Sequence, residues 1–364
     1  MDFDFSDEQL QLREAVARWV DKGYSFERRR SIVLAGGFSR QAWTELAELG
    51  LTGLSVPEPQ GGLGMGPVEA MLVMEELGRG LVLEPLAQAL ICGRLLSQWA
   101  PQSPWLAPLV SGQALLTLAW QERGGRYQPE KCQTLANGNR LTGTKSVVPM
   151  GDQADGFVVS ARLGDRIALF TVAADAPGLT VQGYGTQDGS RAAELHLKDT
   201  PAQLLAEDGM AALQEALDIG AACACAEGVG AMERSLAITC DYMKQRKQFG
   251  VAISGFQALR HRVADMKMQL ELGRSMSYYA CLKLLAPAGE RSQAIARAKV
   301  QLGQAMRLVG QQSVQLHGGI GVTDEYIISH YFKKLTQLEL SFGDTMHHLG
   351  QVSDRMQETA GVFS

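Results

Sequence analysis

The sequence of 364 residues lacks the features that mark membrane-spanning, nucleic-acid-binding or metal-binding chains. It has no run of about 18 apolar residues, the length that spans a bilayer. It has no block of like charges that would line a nucleic-acid groove or bind anionic lipid. Its six cysteines include no CxxC pair and no histidine at metal-ligand spacing. We therefore expect small molecules or proteins as partners, with no nucleic acid, no membrane insertion and no metal.

The N-terminus and the cysteines both indicate a cytoplasmic protein. The chain opens with Met1-Asp-Phe-Asp-Phe, which is acidic where a secretory signal would be basic. A chain of this length buries its own core without cross-links, so we interpret the cysteines as small core residues. Cys223 and Cys225 stand two positions apart in an alanine-rich helical stretch, which points them to different faces and disfavours a shared metal or disulfide. The six are Cys92, Cys132, Cys223, Cys225, Cys240 and Cys281.

The first part of the chain has the pattern of a helical domain. A composition of 46% hydrophobic and 20% charged residues is ordinary for a globular protein with more than one core. Ser6 and Gln9 form a capping-box pattern ahead of an amphipathic stripe that starts at Leu10. Further helices are predicted over residues 40–48, 66–78 and 84–99. We expect an α-helical N-terminal domain at residues 1–112.

After residue 113 the pattern changes to short strands. Runs rich in apolar or β-branched residues alternate with turn signals such as Asn137-Gly138-Asn139 and Ala176-Pro177-Gly178. No helical stretch separates the runs, which excludes a doubly wound parallel sheet. The prediction is a small antiparallel β-sheet domain at residues 113–201. Its predicted strands cover residues 115–120, 157–159, 167–172, 179–182 and 193–197.

From residue 202 to residue 364 the pattern is helical again. Two stretches carry apolar residues at alternating spacings of three and four, which puts each set on one stripe of a bundle helix. We therefore predict a C-terminal four-helix bundle. The two stripes are Phe256, Leu259, Val263, Met266 and Leu270, and then Ala294, Ala298, Leu302, Ala305 and Val309.

Three glycine-containing stretches are candidate binding loops. Residues 61–66 lie between predicted helices and not after a strand, which argues against a dinucleotide-binding loop and favours a flexible connection. The second stretch is Arg246 to Gly250 (Arg-Lys-Gln-Phe-Gly) with Gln257, and the third is Gln315 to Gly321 (Gln-Leu-His-Gly-Gly-Ile-Gly). Basic and amide side chains beside glycine-exposed backbone NH groups suit a pyrophosphate and a nucleotide. A structural turn between helices is the alternative for both.

In this order and on this architecture, the two motifs resemble those of the acyl-CoA dehydrogenase family, Arg-x-x-Phe-Gly and Gln-x-x-Gly-Gly-x-Gly. The opening Phe3 to Gln9 and the loop that starts at Pro57 extend the resemblance over nearly the whole chain. The resemblance implies the family's helix–sheet–helix fold and an FAD held across a subunit interface, hence an obligate oligomer. The implied contacts are Arg246 and Gln257 at the diphosphate, Phe249 near the flavin and adenine portions, and Gln315, Gly318 and Gly319 along the adenosine half.

Within the family, the sequence resembles the small subunit of pimeloyl-CoA dehydrogenase and the subunits of heteromeric acyl-CoA dehydrogenases that degrade steroid side chains. The implied substrate is an acyl-CoA thioester, with dicarboxylyl, steroid and aromatic acyl chains all open. The patterns that carry this resemblance are Gly66 to Glu69, Leu81 to Pro85, Gly143 to Lys145 with Ala154-Asp155, and Leu340 to Asp344.

The catalytic base that the resemblance implies is missing from its usual place. A carboxylate must take the α-proton of the acyl thioester while a hydride leaves the β-carbon for the flavin. Counting from Gly318-Gly319 without gaps puts Phe342 on the glutamate of the family's Tyr-Glu-Gly-Thr motif, and phenylalanine cannot take a proton. A second position, used by some relatives, falls at Gly220 and Ala221. Asp344 is the weak remaining candidate, although caps, ion pairs or solvated faces are the favoured roles for Asp218, Glu227, Glu339 and Asp344.

The segments that cover the flavin in the family also differ here. Its Thr-Glu-Pro-x-Ala-Gly-Ser-Asp loop reads Ala-Trp-Gln-Glu-Arg-Gly-Gly-Arg at residues 119–126, and its Trp-Ile-Thr reads Val147-Val148-Pro149. The losses fall on the base and the flavin cover, whereas the elements that reach a neighbour's FAD persist. We therefore expect an FAD-dependent acyl-CoA dehydrogenase in which this chain is the small subunit and a homologous large subunit supplies the base.

Two alternatives stay open at this point. One is a self-sufficient homo-oligomeric acyl-CoA dehydrogenase with a relocated base such as Asp344 or Glu339. The other is a non-catalytic structural subunit that stabilises its partner without touching the flavin.

Overall fold

The computed structural model describes residues 5–360, with side chains described to residue 356. Met1 to Asp4, which include part of the acidic N-terminus and of the opening motif, lie outside the described residues. In the part of the chain that is described, no helix is long and apolar enough to cross a membrane. The helices are α1 Asp7–Gly23, α2 Phe26–Leu34, α3 Arg40–Glu48, α4 Pro67–Arg79, α5 Leu86–Trp99, α6 Leu106–Val110, α7 Gly209–Gln245, α8 Gln257–Lys283, α9 Ala288–His317, α10 Ile327–Leu340 and α11 Thr345–Ala360. The strands are β1 Leu116–Ala119, β2 Leu135–Asn137, β3 Arg140–Pro149, β4 Gly156–Leu163, β5 Arg166–Ala173, β6 Leu179–Gly185, β7 Arg191–Pro201, β8 Gln203–Ala206, β9 Lys247–Gln248 and β10 Val251–Ala252.

The chain forms two compact units, each assembled from separate stretches of sequence. The first unit takes Met1–Arg29, Pro67–Val82 and Ala221–Ser364. The second takes Arg30–Gly66 and Leu83–Gly220. The division into three domains at residues 112 and 201 stays a prediction.

The predicted N-terminal helices are present. The capping box of α1 is confirmed, because the Gln9 backbone NH donates to the Ser6 hydroxyl (3.2 Å) and the Ser6 NH donates to the Gln9 side chain (3.0 Å). Helices α3, α4 and α5 lie close to their predicted bounds. The prediction missed α2 and α6, whose short segments lack a clear apolar stripe.

The small sheet is mixed, which corrects the predicted antiparallel sheet. Its strand order is β6-β7-β3-β2-β4-β5-β8, and β1 lies against β4. β1 runs parallel to β4, with Leu116 opposite Gly156, and β2 also meets β4 in parallel. The β2–β3 hairpin lies between β1 and β4 in the sequence and provides the connection that a parallel pair needs. The parallel β1–β4 pair therefore forms without a crossover helix, which the prediction had treated as necessary. β3 was missed because bulges near Gly143 and Val147 interrupt its alternation.

The glycine loop at residues 61–66 is fixed, which corrects the prediction of a flexible connection. The NH of Leu63 donates to the Gly53 carbonyl (3.1 Å), and the NH of Gly64 donates to the Val56 carbonyl (2.8 Å). A Cβ on Gly62 would lie 2.1 Å from the Val56 carbonyl oxygen. Glycine is therefore required here by close backbone packing.

The C-terminal helices pack as a bundle, with α8, α10 and α11 all in contact with α9. A fifth helix, α11, follows the four expected ones. The predicted stripe of α9 is wholly buried, and Met266 and Leu270 of the α8 stripe are buried beside it. The periodicity thus identified the faces that form this core.

The cysteines are free thiols within the core, which confirms their interpretation as small packing residues. All are buried except Cys240, which is half-buried. Burial raises the pKa of the Cys225 thiol to about 11 and that of Cys281 to about 12. These thiols are therefore protonated and poorly nucleophilic at neutral pH.

Helices α4 and α7 touch backbone to backbone at two glycines. A Cβ on Gly78 would lie 2.0 Å from the carbonyl oxygen of Glu227, and a Cβ on Gly230 would lie 1.8 Å from that of Glu75. The contacts are reciprocal, since each glycine faces the carbonyl of an acidic residue on the other helix. No side chain larger than hydrogen fits at either position without moving a helix.

An ion-pair cluster surrounds the buried Glu75 near this crossing. The Glu75 carboxylate lies 3.4 Å from Arg274 of α8 and 4.0 Å from Arg13 of α1. Its neighbour Glu76 pairs with Arg13 (2.9 Å) and Arg79 (2.6 Å). Burial raises the pKa of Glu75 to about 7, because both arginines only partly offset the loss of solvent.

We expect Gly230→Ala to lower the free energy of unfolding by about 3 kcal/mol, because the new Cβ overlaps a backbone carbonyl that cannot rotate away. Gly350→Ala is the matched control. Gly350 also lies inside a helix, and no described atom comes within 4 Å of its Cβ position, so alanine should stabilise the protein by about 0.5–1 kcal/mol. Chemical denaturation measures both, and equal effects would contradict the close crossing.

We expect Glu75→Gln to flatten the pH dependence of stability. Between the ordinary pKa of 4.5 and the folded value of about 7, the native state binds more protons than the unfolded state, so stability falls as pH rises through this window. Glutamine does not titrate, so the fall in stability with rising pH should disappear in this variant. Glu76→Gln, the control, should lower the thermal midpoint throughout the window because it breaks two ion pairs. An unchanged slope in Glu75→Gln would refute the assignment.

Candidate functional site

Arg246 and Phe249 lie on a tight hairpin at the end of α7. β9 and β10 pair antiparallel across a two-residue turn, in which Phe249 (φ 52°) and Gly250 (φ 81°) both take left-handed conformations. Two such residues characterise the type I′ turn, where a phenylalanine costs about 1–2 kcal/mol relative to glycine. Phe249 is 91% exposed, and its ring contacts Phe256 edge-on at 6.1 Å. The backbone of Phe249 is strained and its aromatic ring is exposed, a combination that folding alone does not explain.

Gln257 lies just beyond this hairpin, as the first residue of α8. The residue before it, Phe256, provides no side-chain cap. Its carbonyl accepts from the NH groups of Leu259 (3.1 Å) and Arg260 (3.2 Å), which leaves the NH groups of Gln257 and Ala258 without a partner inside the helix. Gln257 and Arg246 are both exposed. An uncapped helix N-terminus beside a guanidinium is suited to an anion such as a diphosphate.

Gln315, Gly318 and Gly319 lie where α9 ends. The helix stops at His317, and Gly318 turns the chain with φ 63° into a short 3-10 turn, Gly318–Val322. All three predicted residues are exposed. No described atom lies within 4 Å of a Cβ built on either glycine, so the backbone there is open to close approach by a ligand.

Tyr242 joins the two predicted motifs. Its hydroxyl donates to the carbonyl of His317 (3.3 Å), and its ring stacks on the His317 imidazole at 4.3 Å. Its own carbonyl accepts from the backbone NH of Arg246 (2.8 Å). Since Ala221–Ser364 belongs to one unit, all six predicted cofactor residues lie in that unit. The sequence reasoning missed Tyr242, for which an aromatic residue one helical turn before Arg246 was the available signal.

Phe342, which the ungapped count places on the family's catalytic glutamate, has its backbone carbonyl held by a buried histidine. Phe342 has φ 57° and packs, half-buried, against the bundle core. His348 Nε2 donates to its carbonyl (3.0 Å). Burial lowers the pKa of His348 to about 3, so the imidazole is neutral at physiological pH.

A fully buried lysine caps the helix that leads to Phe342. Lys299 Nζ donates to the carbonyls of Leu338 (3.0 Å), Glu339 (3.1 Å) and Ser341 (2.8 Å). These are carbonyls at the end of α10, which a helix leaves without partners. Burial lowers the pKa of Lys299, but three carbonyl contacts suit the charged ammonium. The sequence reasoning did not identify this residue.

The acids considered as bases all have structural partners. Asp344 Oδ1 accepts from the backbone NH of His347 (2.8 Å), which makes it the cap of α11. Glu339 is buried and accepts from the Thr345 NH (3.0 Å) and hydroxyl (2.6 Å). Glu227 pairs with Lys334 at 2.6 Å, and Asp218 accepts from Gln214 at 3.1 Å. The second family position, Gly220 with Ala221, lies buried inside α7.

In the second unit, the segment at residues 119–126 is anchored by a buried ion pair. Glu122 lies 2.7 Å from Lys145, whose side chain is fully buried. Burial would raise the pKa of Glu122, but Lys145 and hydrogen bonds from Thr134 and Gln133 outweigh it and lower the pKa to about 2. The Glu122 carboxylate is therefore occupied by structural contacts within the sheet.

Val147, where the family places a flavin-covering tryptophan, lies in a β-bulge. The register between β3 and β7 shifts between Lys145 and Val148. Val147 has φ 53° and is 46% exposed, whereas Val148 is buried. A left-handed β-branched residue is a strained outlier, and its small side chain offers little cover to a planar ligand.

Family models match both ends of the chain. The model of the acyl-CoA dehydrogenase N-terminal domain matches residues 6–113, and that of the C-terminal domain matches residues 207–357. The acyl-CoA dehydrogenase IpdE2 of Mycobacterium tuberculosis is 31% identical over 332 residues, which cover 90% of this chain and 91% of IpdE2. The chain belongs to the acyl-CoA dehydrogenase family.

Solved structures show the same fold. A chain of the ChsE4-ChsE5 complex from Mycobacterium tuberculosis is 28% identical, with a TM-score of 0.91 over 99% of this chain and 100% of that one. A chain of a variant of the Tcur3481-Tcur3483 steroid acyl-CoA dehydrogenase is 31% identical, with a TM-score of 0.89 over 97% and 99%. The resemblance to heteromeric steroid enzymes is thereby confirmed. The family consists of FAD-dependent oxidoreductases that act on CH–CH groups, which confirms the predicted enzyme class and cofactor.

The described residues fit the adenosine diphosphate half of FAD. An exposed guanidinium and an uncapped helix start suit the charge of a diphosphate, and a glycine backbone without side chains allows the adenosine to approach closely. All three features lie in one unit. The Nε2 atom of His317 is buried beside the glycines without a partner among the described residues. The individual assignments of Arg246, Phe249, Gln257, Gln315, Gly318 and Gly319 to FAD remain predictions.

We expect Asp344→Ala to destabilise the protein by about 1 kcal/mol, because it removes the α11 cap, and Asp344→Asn to keep most of that stability. Thermal denaturation compares the two. If Asp344 is a cap and no base, the asparagine variant also keeps the dehydrogenase activity of the native assembly. Loss of turnover with unchanged stability in that variant would make Asp344 the base.

Proposed function

We propose that this chain is the small subunit of a heteromeric acyl-CoA dehydrogenase and that it completes the FAD site of a homologous large subunit. The observation that carries the proposal is a contrast within one unit. The family's base position holds Phe342, while Arg246, Gln257 and the Gly318-Gly319 backbone are exposed and ready to bind. On this proposal the large subunit supplies the carboxylate that takes the α-proton.

Each exposed group has a distinct task in this proposal. The Arg246 guanidinium neutralises the diphosphate with charge-assisted hydrogen bonds, and the first turn of α8 with Gln257 adds further donors. The exposed Gly318-Gly319 backbone, which carries no side chains, and Gln315 orient the adenosine half. FAD accepts the hydride from the substrate β-carbon when bound. The exposed ring of Phe249 is covered when the neighbouring chain and its cofactor pack against it.

Similar structures support the two-chain assembly. The ChsE4-ChsE5 complex and the Tcur3481-Tcur3483 enzyme are each named for two proteins, and a chain of each matches this chain over nearly its whole length. The substrate proposed for this chain is accordingly an acyl-CoA thioester. The free thiols of the core are consistent with the cytoplasm as its compartment.

The acids leave little support for a self-sufficient enzyme. Asp344 and Glu339, the candidates for a relocated base, are committed to the cap of α11 and to the Thr345 contacts. These contacts give both carboxylates structural roles, and Glu339 is in addition buried. The structural-subunit alternative remains a separate outcome of the experiment below.

The test is to isolate the native assembly through an affinity tag on this chain, and to measure its flavin absorbance and its acyl-CoA-dependent dye reduction. Arg246→Gln should weaken FAD binding about tenfold or more, because it replaces a charged phosphate contact with a neutral one. Arg297→Gln, which changes an exposed arginine of α9 outside the site, should leave FAD affinity unchanged.

Two outcomes would overturn the proposal in different directions. Unchanged FAD affinity in Arg246→Gln would make the chain a structural subunit. Stoichiometric FAD and full dye reduction by the chain purified alone would make it self-sufficient. Co-purification of a second acyl-CoA dehydrogenase chain with intact flavin-covering segments is the expected result.

A further inference from the structure

We infer that Tyr242 is a positioning residue that fixes Arg246 relative to the Gly318-Gly319 backbone, so that the diphosphate and adenosine contacts of the cofactor site act as one unit. The inference rests on the proposed FAD function and goes beyond it, because Tyr242 belongs to neither binding motif. It assigns the residue a role through Arg246 and the glycine loop, and no contact with the cofactor itself.

Tyr242 contacts both motifs through separate groups. Its phenol donates to the His317 carbonyl (3.3 Å), which directly precedes Gly318. Its main-chain carbonyl accepts from the Arg246 NH (2.8 Å), and the Arg246 carbonyl in turn accepts from Ile253 (2.8 Å), which closes the hairpin. A continuous path of three hydrogen bonds therefore runs from the glycine loop to the hairpin.

His317 is held so that it can receive this contact. Its Nδ1–H donates to the Ser313 carbonyl (2.7 Å), which fixes the tautomer and leaves Nε2 as an acceptor. The ring is stacked on Tyr242 at 4.3 Å, and Tyr326 packs against it at 5.2 Å. Burial lowers the pKa of His317, so the ring between the two tyrosines is neutral at physiological pH.

This arrangement matters because the two motifs are far apart in sequence. Arg246 ends one helix and Gly318 follows another, so each would otherwise move with its own helix end, where helices fray. A dinucleotide is a single covalently connected anion that must meet both motifs at once. A preformed spacing between them reduces the ordering cost of binding.

The first experiment uses Tyr242→Phe, which keeps the ring stack and removes one hydrogen bond. FAD is titrated into the native assembly after the cofactor has been stripped, with flavin fluorescence as the readout. We expect affinity to fall about fivefold, the effect of one lost hydrogen bond. Tyr279→Phe is the matched control, since it removes the same hydroxyl near the far end of α8, and it should leave affinity unchanged.

A double-mutant cycle with Arg246→Gln separates positioning from a purely structural role. If Tyr242 acts by placing Arg246, its loss matters less when the guanidinium is already gone, so the double variant should weaken FAD binding by less than the product of the two single effects. Additive effects would overturn the inference. So would a Tyr242→Phe variant whose cofactor-free melting temperature falls while its FAD affinity stays unchanged.

The cycle also distinguishes this inference from the proposal beneath it. If Arg246→Gln alone leaves FAD affinity unchanged, the proposed cofactor role fails. If Arg246→Gln weakens binding but Tyr242→Phe does not, only the positioning role of Tyr242 fails.

Discussion

The backbone contact between α4 and α7 is the constraint on which the first unit depends. With Gly78 against the Glu227 carbonyl and Gly230 against the Glu75 carbonyl, the two helices cannot slide or rotate past one another. That contact buries acidic residues near the crossing, and so it requires the cations of Arg274, Arg13 and Lys334 close by. It also fixes the helix whose last turn carries Tyr242 and ends at the Arg246 hairpin.

In the first unit, the residues predicted to contact the cofactor are exposed. These include Arg246, Gln257 and Gly318, and Phe249 is exposed on a left-handed backbone. At the base position, by contrast, the side chain packs inward and nearby acids cap helices or accept internal hydrogen bonds. This contrast within one unit is the basis of the proposed division of labour between two chains.

Much of this was predictable from residue patterns, because helical periodicity reports directly on buried faces. The α8 and α9 stripes and the Ser6 capping box followed from spacing, and the family followed from the resemblance of two motifs to known ones. The mixed sheet did not, because strand neighbours are set by tertiary pairing and the bulge at Val147 hides β3. Tyr242, Lys145 and Lys299 were missed since each acts through contacts distant in sequence. The tight fit of Gly62 is likewise invisible until Val56 is placed beside it.

Lys299 has an evolutionary consequence. It and His348 hold the loop after α10 by main-chain carbonyls, including those of Ser341 and Phe342, and so they impose nothing on the side chains that the loop displays. These hydrogen bonds therefore persist when the residue at position 342 is exchanged. A scaffold built in this way can lose its catalytic base by one substitution and still fold as a subunit. This gives a route by which duplicated enzymes become obligate pairs.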